Sequence, residues 1–145
     1  MLIGIIIINM KKGLRRRNTR QRRVILEALR RTNTHPTAGQ LLSVVKRSIP
    51  NISFATVYRN LNLLKAQGEA LELVCSKHGS RYDGCIKNHY HFFCIKCGKV
   101  FDVPRPVLKG IDKETGMKLG FVVRYHRVDF YGYCGGCKKQ GKKGG

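Results

Sequence analysis

The chain has 145 residues, a length that allows one domain or two small ones. Its 29 Lys and Arg residues against 8 Asp and Glu residues give a formal net charge of +21, far more than solubility requires. Such a charge favours a phosphate-rich partner, and by itself it excludes neither a ribosomal protein nor one bound to an anionic membrane.

The first residues and the cysteine pattern argue against a membrane or secreted protein. Residues 1–8 are mostly apolar, but no cation precedes them and they are too few to span a bilayer. Of the six cysteines, four form two Cys-x-x-Cys pairs near a histidine cluster, which is unlike a secreted disulfide framework. We expect a cytoplasmic protein with an N-terminal extension at 1–10, a basic tail at 141–145 and no membrane role.

The first half of the chain, residues 11–84, is predicted to be a winged helix-turn-helix domain. Apolar residues recur at helical spacing over 19–31. Thr37 and Ser53 can each cap a further helix. Two short strands then form a hairpin, over residues 70–75 and 80–83. Three helices with a tight turn between the second and third, followed by a hairpin, are typical of that motif.

The third helix, from the Ser53 cap to about Gln67, is expected to enter the major groove of DNA. Val57, Leu61 and Leu64 fall on its buried face. The opposite face could be merely solvated, but the charge and the turn together favour DNA contact. The residues expected to reach DNA are Ser53, Thr56, Tyr58, Arg59, Asn60 and Asn62.

The second half, residues 85–140, is predicted to be a small α/β dimerisation and metal-binding domain, so that the whole chain is α+β. One helix is expected over 106–117. The predicted strands are 91–94, 99–103 and 121–133. So few strands bury little surface, which makes zinc and dimerisation plausible sources of stability.

The cysteine pairs predict a structural zinc site. They are Cys94-Ile-Lys-Cys97 and Cys134-Gly-Gly-Cys137. Each Cys-x-x-Cys forms a knuckle that directs two sulfurs at one ion, and four thiolates leave no open position for catalysis. Core cysteines or disulfides are the alternative explanation of the same residues.

A second metal site of different chemistry is predicted from histidines and aspartates. His89 and His91 alternate along an extended segment, so both can face one way. Asp83 and Asp102 are two of only eight acidic residues and lie close in sequence to these histidines. His35 stands far away before a proline, and periodicity alone does not select it.

These residues together make the chain similar to the ferric uptake regulator superfamily, over about residues 19–137. The segments that carry the resemblance are His35-Pro-Thr-Ala38, Ser53-Phe-Ala-Thr-Val-Tyr-Arg-Asn-Leu61, Arg81-Tyr-Asp83, His89-Tyr-His91-Phe-Phe-Cys94-Ile-Lys-Cys97-Gly98 and Tyr131-Gly-Tyr-Cys134-Gly-Gly-Cys137. The resemblance implies a homodimeric winged-helix repressor, not an enzyme, with one structural Zn²⁺ per chain. It also implies a regulatory metal that couples the two halves and selects a geometry fitting a palindromic operator in double-stranded DNA.

Within the superfamily the chain most resembles the peroxide-responsive regulators. The resemblance implies a regulatory Fe²⁺ or Mn²⁺ held by three histidines and two aspartates, which here are His35, Asp83, His89, His91 and Asp102. It further implies that peroxide, with iron bound, oxidises His35 or His89 to 2-oxo-histidine. Manganese in the same site would be largely inert to that reaction.

Several alternatives stay open at this point. Asn88 and Tyr90 replace residues that form an additional site in many iron-uptake members, so His126 is expected to be structural. Cys75 and Cys85 are extra thiols, and Cys85 in the second site would indicate a zinc sensor. The competing functions are an iron-uptake repressor, a zinc-sensing repressor, a metalloenzyme acting on nucleic acid, and a structural zinc-ribbon module.

Overall fold

The computed structural model describes residues 17–75 and 77–140. Its helices are α1 (residues 17–30), α2 (Ala38–Val45), α3 (Phe54–Ala66) and α4 (Ile111–Leu119), and a short 3₁₀ helix covers Lys138–Gln140. The strands are β1 (Leu71–Cys75), β2 (Gly79–Asp83), β3 (Tyr90–Cys94), β4 (Val100–Val103) and β5 (Asp129–Gly132). The predicted extension at 1–10 and tail at 141–145 lie outside the described residues. The α+β fold class is confirmed.

The described residues divide into two compact units. The first contains residues 17–32, Pro36–Val74 and Ser80–Ile86. The second contains Asn33–His35 and residues 75, 77–79 and 87–140. Residues 33–35 thus group with the second unit, although the helices on either side of them belong to the first. Within the described ranges, no helix combines the length and hydropathy needed to cross a membrane.

The first unit has the order of elements predicted for a winged helix-turn-helix. Thr37 caps α2 in a reciprocal capping box with Gln40, and Ser53 caps α3 by accepting from the Thr56 N–H. Gly68, at φ 70°, ends α3 in the left-handed conformation that glycine adopts readily. The helices enclose an apolar core whose members include Ile25, Leu29, Leu41, Val57, Leu61, Leu64 and Tyr82.

The second unit contains a three-stranded sheet in the order β4-β3-β5. β3 pairs antiparallel with β4, which places His91 opposite Asp102. β3 pairs parallel with β5, which places Cys94 beside Gly132. The central strand therefore contains His91, a predicted regulatory ligand, near its beginning and Cys94, a predicted zinc ligand, at its end.

Two boundaries in the second unit differ from the sequence prediction. The helix begins at Ile111 rather than 106, because Gly110 at its N-cap has φ 86° and cannot continue a helical turn from the residues before it. The last strand covers Asp129–Gly132 rather than 121–133, because its pairing partner β3 has five residues and pairs only with that part. A backbone bond from Phe121 to Gly116 closes the end of α4 instead.

Candidate metal centres and nucleic-acid interface

The four predicted zinc ligands come together at the end of the sheet where β3 and β5 finish. Cys94 is the last residue of β3 and Cys97 lies in the following turn, while Cys134 and Cys137 follow β5. Each knuckle is closed by a backbone bond of 2.9 Å, from the Gly98 N–H to the Cys94 carbonyl and from the Cys137 N–H to the Cys134 carbonyl. The parallel pairing of β3 with β5 thus starts both knuckles side by side.

The spacing of the sulfur atoms fits a tetrahedral ion. The four Sγ atoms all lie within 4.8 Å of one another. Cys97 Sγ and Cys134 Sγ are 3.8 Å apart. Four Zn–S bonds of about 2.3 Å in a tetrahedron put sulfurs about 3.8 Å apart, whereas a disulfide needs about 2 Å. The donor set therefore fits a closed Zn²⁺ site, and all four cysteines are free of disulfides.

The thiols differ in acidity because their surroundings differ. Burial by itself raises the pKa of Cys94, but hydrogen bonds from the backbones of Cys97, Cys134 and Lys96 outweigh it and bring the pKa down to about 6. Burial, together with hydrogen bonds to the neighbouring thiols, raises the pKa of Cys137 to about 12. Backbone donors therefore already favour a thiolate at Cys94, the form that binds metal.

Gly98 is required by the shape of the first knuckle. Its φ is 68°, and a Cβ there would lie 2.4 Å from Cγ of His78. Both the left-handed backbone and the close approach exclude a side chain.

The second donor set is built around Asp102. Nε2 of His35 and Nε2 of His89 each lie 3.0 Å from Asp102 Oδ1. Nε2 of His91 lies 3.6 Å from the same oxygen. The β3–β4 register places His91 opposite Asp102, and His89 directly precedes the first residue of β3.

His35 reaches this cluster through an uncommon backbone conformation. Its φ is 51°, and no other non-glycine residue in the described ranges has a positive φ. Its side chain is 2% exposed. Such a conformation costs about 1–3 kcal/mol and is concentrated at functional sites. Three imidazole nitrogens converging on one carboxylate oxygen form a donor set that suits Fe²⁺ or Mn²⁺ better than a soft thiolate site does.

Asp83, the other predicted ligand, is the last residue of β2 in the first unit and is buried. Its Oδ1 accepts a 2.8 Å hydrogen bond from the backbone N–H of Cys85, which fixes the carboxylate at the end of the strand. The Cys85 side chain is exposed and belongs to neither group of metal-ligating side chains found in the described residues. The zinc-sensor alternative based on Cys85 therefore loses its support.

His126 lies outside both metal-ligating groups found in the described residues, and both of its ring nitrogens have hydrogen-bond partners. Its Nδ1 lies 2.8 Å from Asp112 Oδ1, and its Nε2 lies 2.8 Å from the Tyr90 hydroxyl. Cys75 is buried within β1 and is also absent from both metal-ligating groups in the described residues.

The outer face of α3 differs in part from the predicted DNA contacts. Tyr58 and Arg59 are exposed, and the Tyr58 ring stacks on that of Phe54 with centroids 6.2 Å apart. Asn60, also predicted to contact DNA, is 3% exposed, and its Nδ2 donates to the Thr56 carbonyl one turn earlier. Ser53 caps the helix by accepting from the Thr56 N–H, and the hydroxyls of the two residues lie 2.9 Å apart.

A groove beside α3 is lined by basic residues of α1 that the sequence did not single out. Its volume is about 260 Å³, and its lining residues are Arg17, Arg20, Gln21, Ile49, Asn51, Ile52, Ser53 and Thr56. The two arginines lie three residues apart on α1, a spacing that puts them on one helical face. That spacing was readable in the sequence, but the dense basic run around it gave no reason to select these two.

Comparison with known proteins identifies the family. The model of the Ferric uptake regulator family matches residues 11–131. The chain belongs to the ferric uptake regulator family. It is 38% identical over 125 residues to the peroxide-responsive repressor PerR of Staphylococcus epidermidis, covering 86% of this chain and 83% of that one.

Solved structures of the family are similar as well. The peroxide stress regulator of Campylobacter jejuni superposes with a TM-score of 0.79 at 32% identity, covering 90% of this chain and 98% of that one. The ferric uptake regulator Fur of Helicobacter pylori, described as having three functional metal-binding sites, gives a TM-score of 0.72 at 25% identity over 93% of each chain.

Membership has direct consequences. The chain is a regulator and not an enzyme, and regulators of this family bind DNA as dimers. The prediction of two kinds of metal is confirmed, because the chain has a four-cysteine set for structural Zn²⁺ and a separate histidine/aspartate set for regulatory Fe²⁺ or Mn²⁺.

Proposed function

We propose that this chain is a cytoplasmic, homodimeric transcriptional repressor that binds a palindromic operator when its regulatory metal is bound and releases it on exposure to hydrogen peroxide. The observation that carries the proposal is the convergence of His35, His89 and His91 on Asp102, apart from the four-cysteine set. A peroxide-responsive repressor and a peroxide stress regulator among the similar proteins support it.

The regulatory ligands proposed are His35, His89, His91 and Asp102, with Asp83 as the fifth. His35 directly precedes Pro36, where the first unit resumes, and Asp83 itself belongs to that unit. Loss of one donor would therefore weaken the link between metal binding and the DNA-binding helices. Bound Fe²⁺ supplies the one-electron chemistry with which hydrogen peroxide can convert a ligating imidazole, at His35 or His89, into 2-oxo-histidine.

The two halves of the chain are proposed to have different roles. Residues 11–84 are proposed to bind DNA, with Tyr58 and Arg59 presented on α3 and the α1 arginines beside it. Residues 85–140 are proposed to dimerise. Large apolar side chains exposed in that part support a second copy as the partner, among them Met117, Phe121, Val122 and Tyr125.

Mass spectrometry distinguishes this proposal from a repressor that senses metal level. Zinc-loaded protein is prepared with Fe²⁺ or with Mn²⁺, treated briefly with hydrogen peroxide, digested and sequenced. We expect a single-oxygen adduct on the peptide of His35 or of His89–His91, in the iron sample only. The peptide of His126, whose two ring nitrogens are bonded to Asp112 and Tyr90, is the internal control.

If both samples stay unmodified while metal still switches DNA binding, peroxide sensing is contradicted and the chain senses metal level.

A second test addresses the ligands. Asp83→Ala and His91→Ala should each weaken metal-dependent DNA binding while keeping the zinc and the dimer. Loss of the dimer in either variant would contradict the assignment of two separate metal sites.

A further inference from the structure

A chain of hydrogen bonds runs from the middle of the ligand strand to α4. Tyr90 stands between His89 and His91 in sequence and is 1% exposed. Its hydroxyl lies 2.8 Å from His126 Nε2 and 2.9 Å from the backbone N of Leu108. His126 Nδ1 in turn lies 2.8 Å from Asp112 Oδ1, in the first turn of α4.

When Asp112 is ionised and the His126 ring is neutral, the chemistry of these groups sets the direction of every bond. The Leu108 N–H can only donate, so the Tyr90 oxygen accepts from it. An ionised Asp112 can only accept, so the proton of a neutral His126 ring lies on Nδ1. Nε2 is then an acceptor, and the Tyr90 hydroxyl donates to it. Both the donor and an acceptor lone pair of this buried hydroxyl are used.

This chain of hydrogen bonds begins on β3, the strand that contains His91 and that His89 directly precedes. Tyr90 and His91 are successive residues of β3, and successive side chains of a strand point to opposite faces, so Tyr90 faces away from His91. The same strand segment has a second tie, because Asn88 Nδ2 donates to the His126 carbonyl at 3.0 Å. Any movement of β3 that brings the two imidazoles onto an ion therefore also moves the Tyr90 hydroxyl.

A buried hydroxyl that moves must either take its partners along or leave them unsatisfied. Leaving a buried polar group unpaired is costly, and hydrogen bonds weaken steeply beyond their normal length. His126, Leu108 and Asp112 are therefore expected to follow Tyr90. Asp112 belongs to α4, a helix whose Met117 and Leu119 are 74% and 56% exposed.

We propose that Tyr90 is a positioning residue that transmits metal occupancy of the histidine/aspartate centre to α4 through His126 and Asp112. The inference rests on the proposed function, because it takes His89 and His91 as regulatory ligands. It makes α4 a responsive element of the regulator, linked to the metal by protons and hydrogen bonds rather than by a further metal ion.

Hydrogen exchange of the full chain tests the proposal. Zinc-loaded protein with and without Mn²⁺ is compared, and Mn²⁺ binding is measured in the same samples by the loss of the free-ion electron paramagnetic resonance signal. We expect Mn²⁺ to slow exchange of the α4 amides about fivefold or more in the wild type, a typical coupling between two sites. In Tyr90→Phe this slowing should disappear while Mn²⁺ still binds. The matched control is Tyr131→Phe on β5, outside the hydrogen-bond chain, which should respond like the wild type.

Variants of His126 separate transmission from simple packing. His126→Ala should abolish the α4 response, as Tyr90→Phe does. His126→Gln keeps an acceptor for the phenol and a donor for the carboxylate, so it should restore the response. A wild-type-like response in Tyr90→Phe, or no α4 response in a wild type that binds Mn²⁺, would overturn the inference alone. A wild type that binds no Mn²⁺ would contradict the proposed function as well.

Discussion

The two units of the chain are stabilised in different ways. The first encloses an apolar core in which Ile25, Val57, Leu61 and Leu64 have no exposed surface. The second leaves large apolar side chains exposed. It contains both metal-ligand sets, each gathered at its own place, except for Asp83, which belongs to the first unit. From this difference we expect the first unit to fold around its own core, and the second to depend on zinc and on a second copy of the chain.

The largest effect expected is that of Cys94→Ser on the second unit. The substitution opens the four-cysteine set, and structural zinc contributes about 10 kcal/mol or more in small zinc domains. We expect loss of zinc, loss of the dimer in light scattering, and rapid hydrogen exchange in β3–β5. The helices of the first unit should keep their protection.

The matched control for this variant is Cys85→Ser, an exposed cysteine outside the four-cysteine set. It should keep the zinc and the dimer. A zinc-free Cys94→Ser protein that is still a folded dimer would show that the second unit does not need its metal.

The reverse experiment weakens the first unit. Leu61 lies on α3 and is 0% exposed, so Leu61→Ala should destabilise this unit by about 2–5 kcal/mol in urea unfolding followed by helical circular dichroism. Zinc content should not change. The control is Leu63→Ala on the same helix, which is 39% exposed and should alter stability by less than about 0.5 kcal/mol. Simultaneous loss of both units in Leu61→Ala would contradict their independence.

Local signals made the helical unit predictable from sequence. The caps Thr37 and Ser53 and the stop at Gly68 are where the sequence placed them, because capping depends on residues within one turn. The inward face of α3 followed from helical spacing. The burial of Asn60 could not be predicted, because spacing does not show that an amide can bond to its own helix backbone and pack inside.

The candidate site was only partly readable from its residues. The zinc site could be predicted from the spacing of its four cysteines alone. His35 is different, because its position depends on a positive φ and on Asp102, which is far away in the sequence and which only the folded chain brings to 3.0 Å. The family resemblance selected His35, whereas periodicity could not. The bonds of Tyr90 and His126 also join residues 36 positions apart and carry no local signal.

A smaller effect is expected from removing one charge of the first unit. Arg20 lines the groove beside α3, so Arg20→Gln should remove a phosphate contact. The slope of the logarithm of the DNA association constant against the logarithm of the salt concentration should flatten by about 0.9 per chain, or about 1.8 per dimer, on duplex DNA of random sequence. Fluorescence anisotropy at several salt concentrations measures it. Arg31→Gln, past the end of α1 and outside the groove, is the control. An unchanged slope for Arg20→Gln would place the groove outside the DNA interface.

The smallest effect concerns an ion pair that links α3 to β1. A hydrogen bond from Lys65, followed by one from Ser80, lowers the pKa of Glu72 below its usual value near 4.5. Because the folded-state pKa is depressed, the stabilisation is present at neutral pH and is lost as the pH falls below the unfolded value.

Glu72→Gln should therefore destabilise the first unit by about 0.5–1 kcal/mol at neutral pH, since the pair is partly exposed. The difference from the wild type should shrink as the pH falls below about 4.5, where the unfolded carboxyl takes up its proton. Exchange of the α3 amides at several pH values measures both. Glu69→Gln is the control, because Glu69 lies 3.9 Å from Arg30 with both side chains more exposed, and it should change little. A Glu72→Gln penalty that persists unchanged into acid would show that the side chain stabilises the unit by packing rather than by charge.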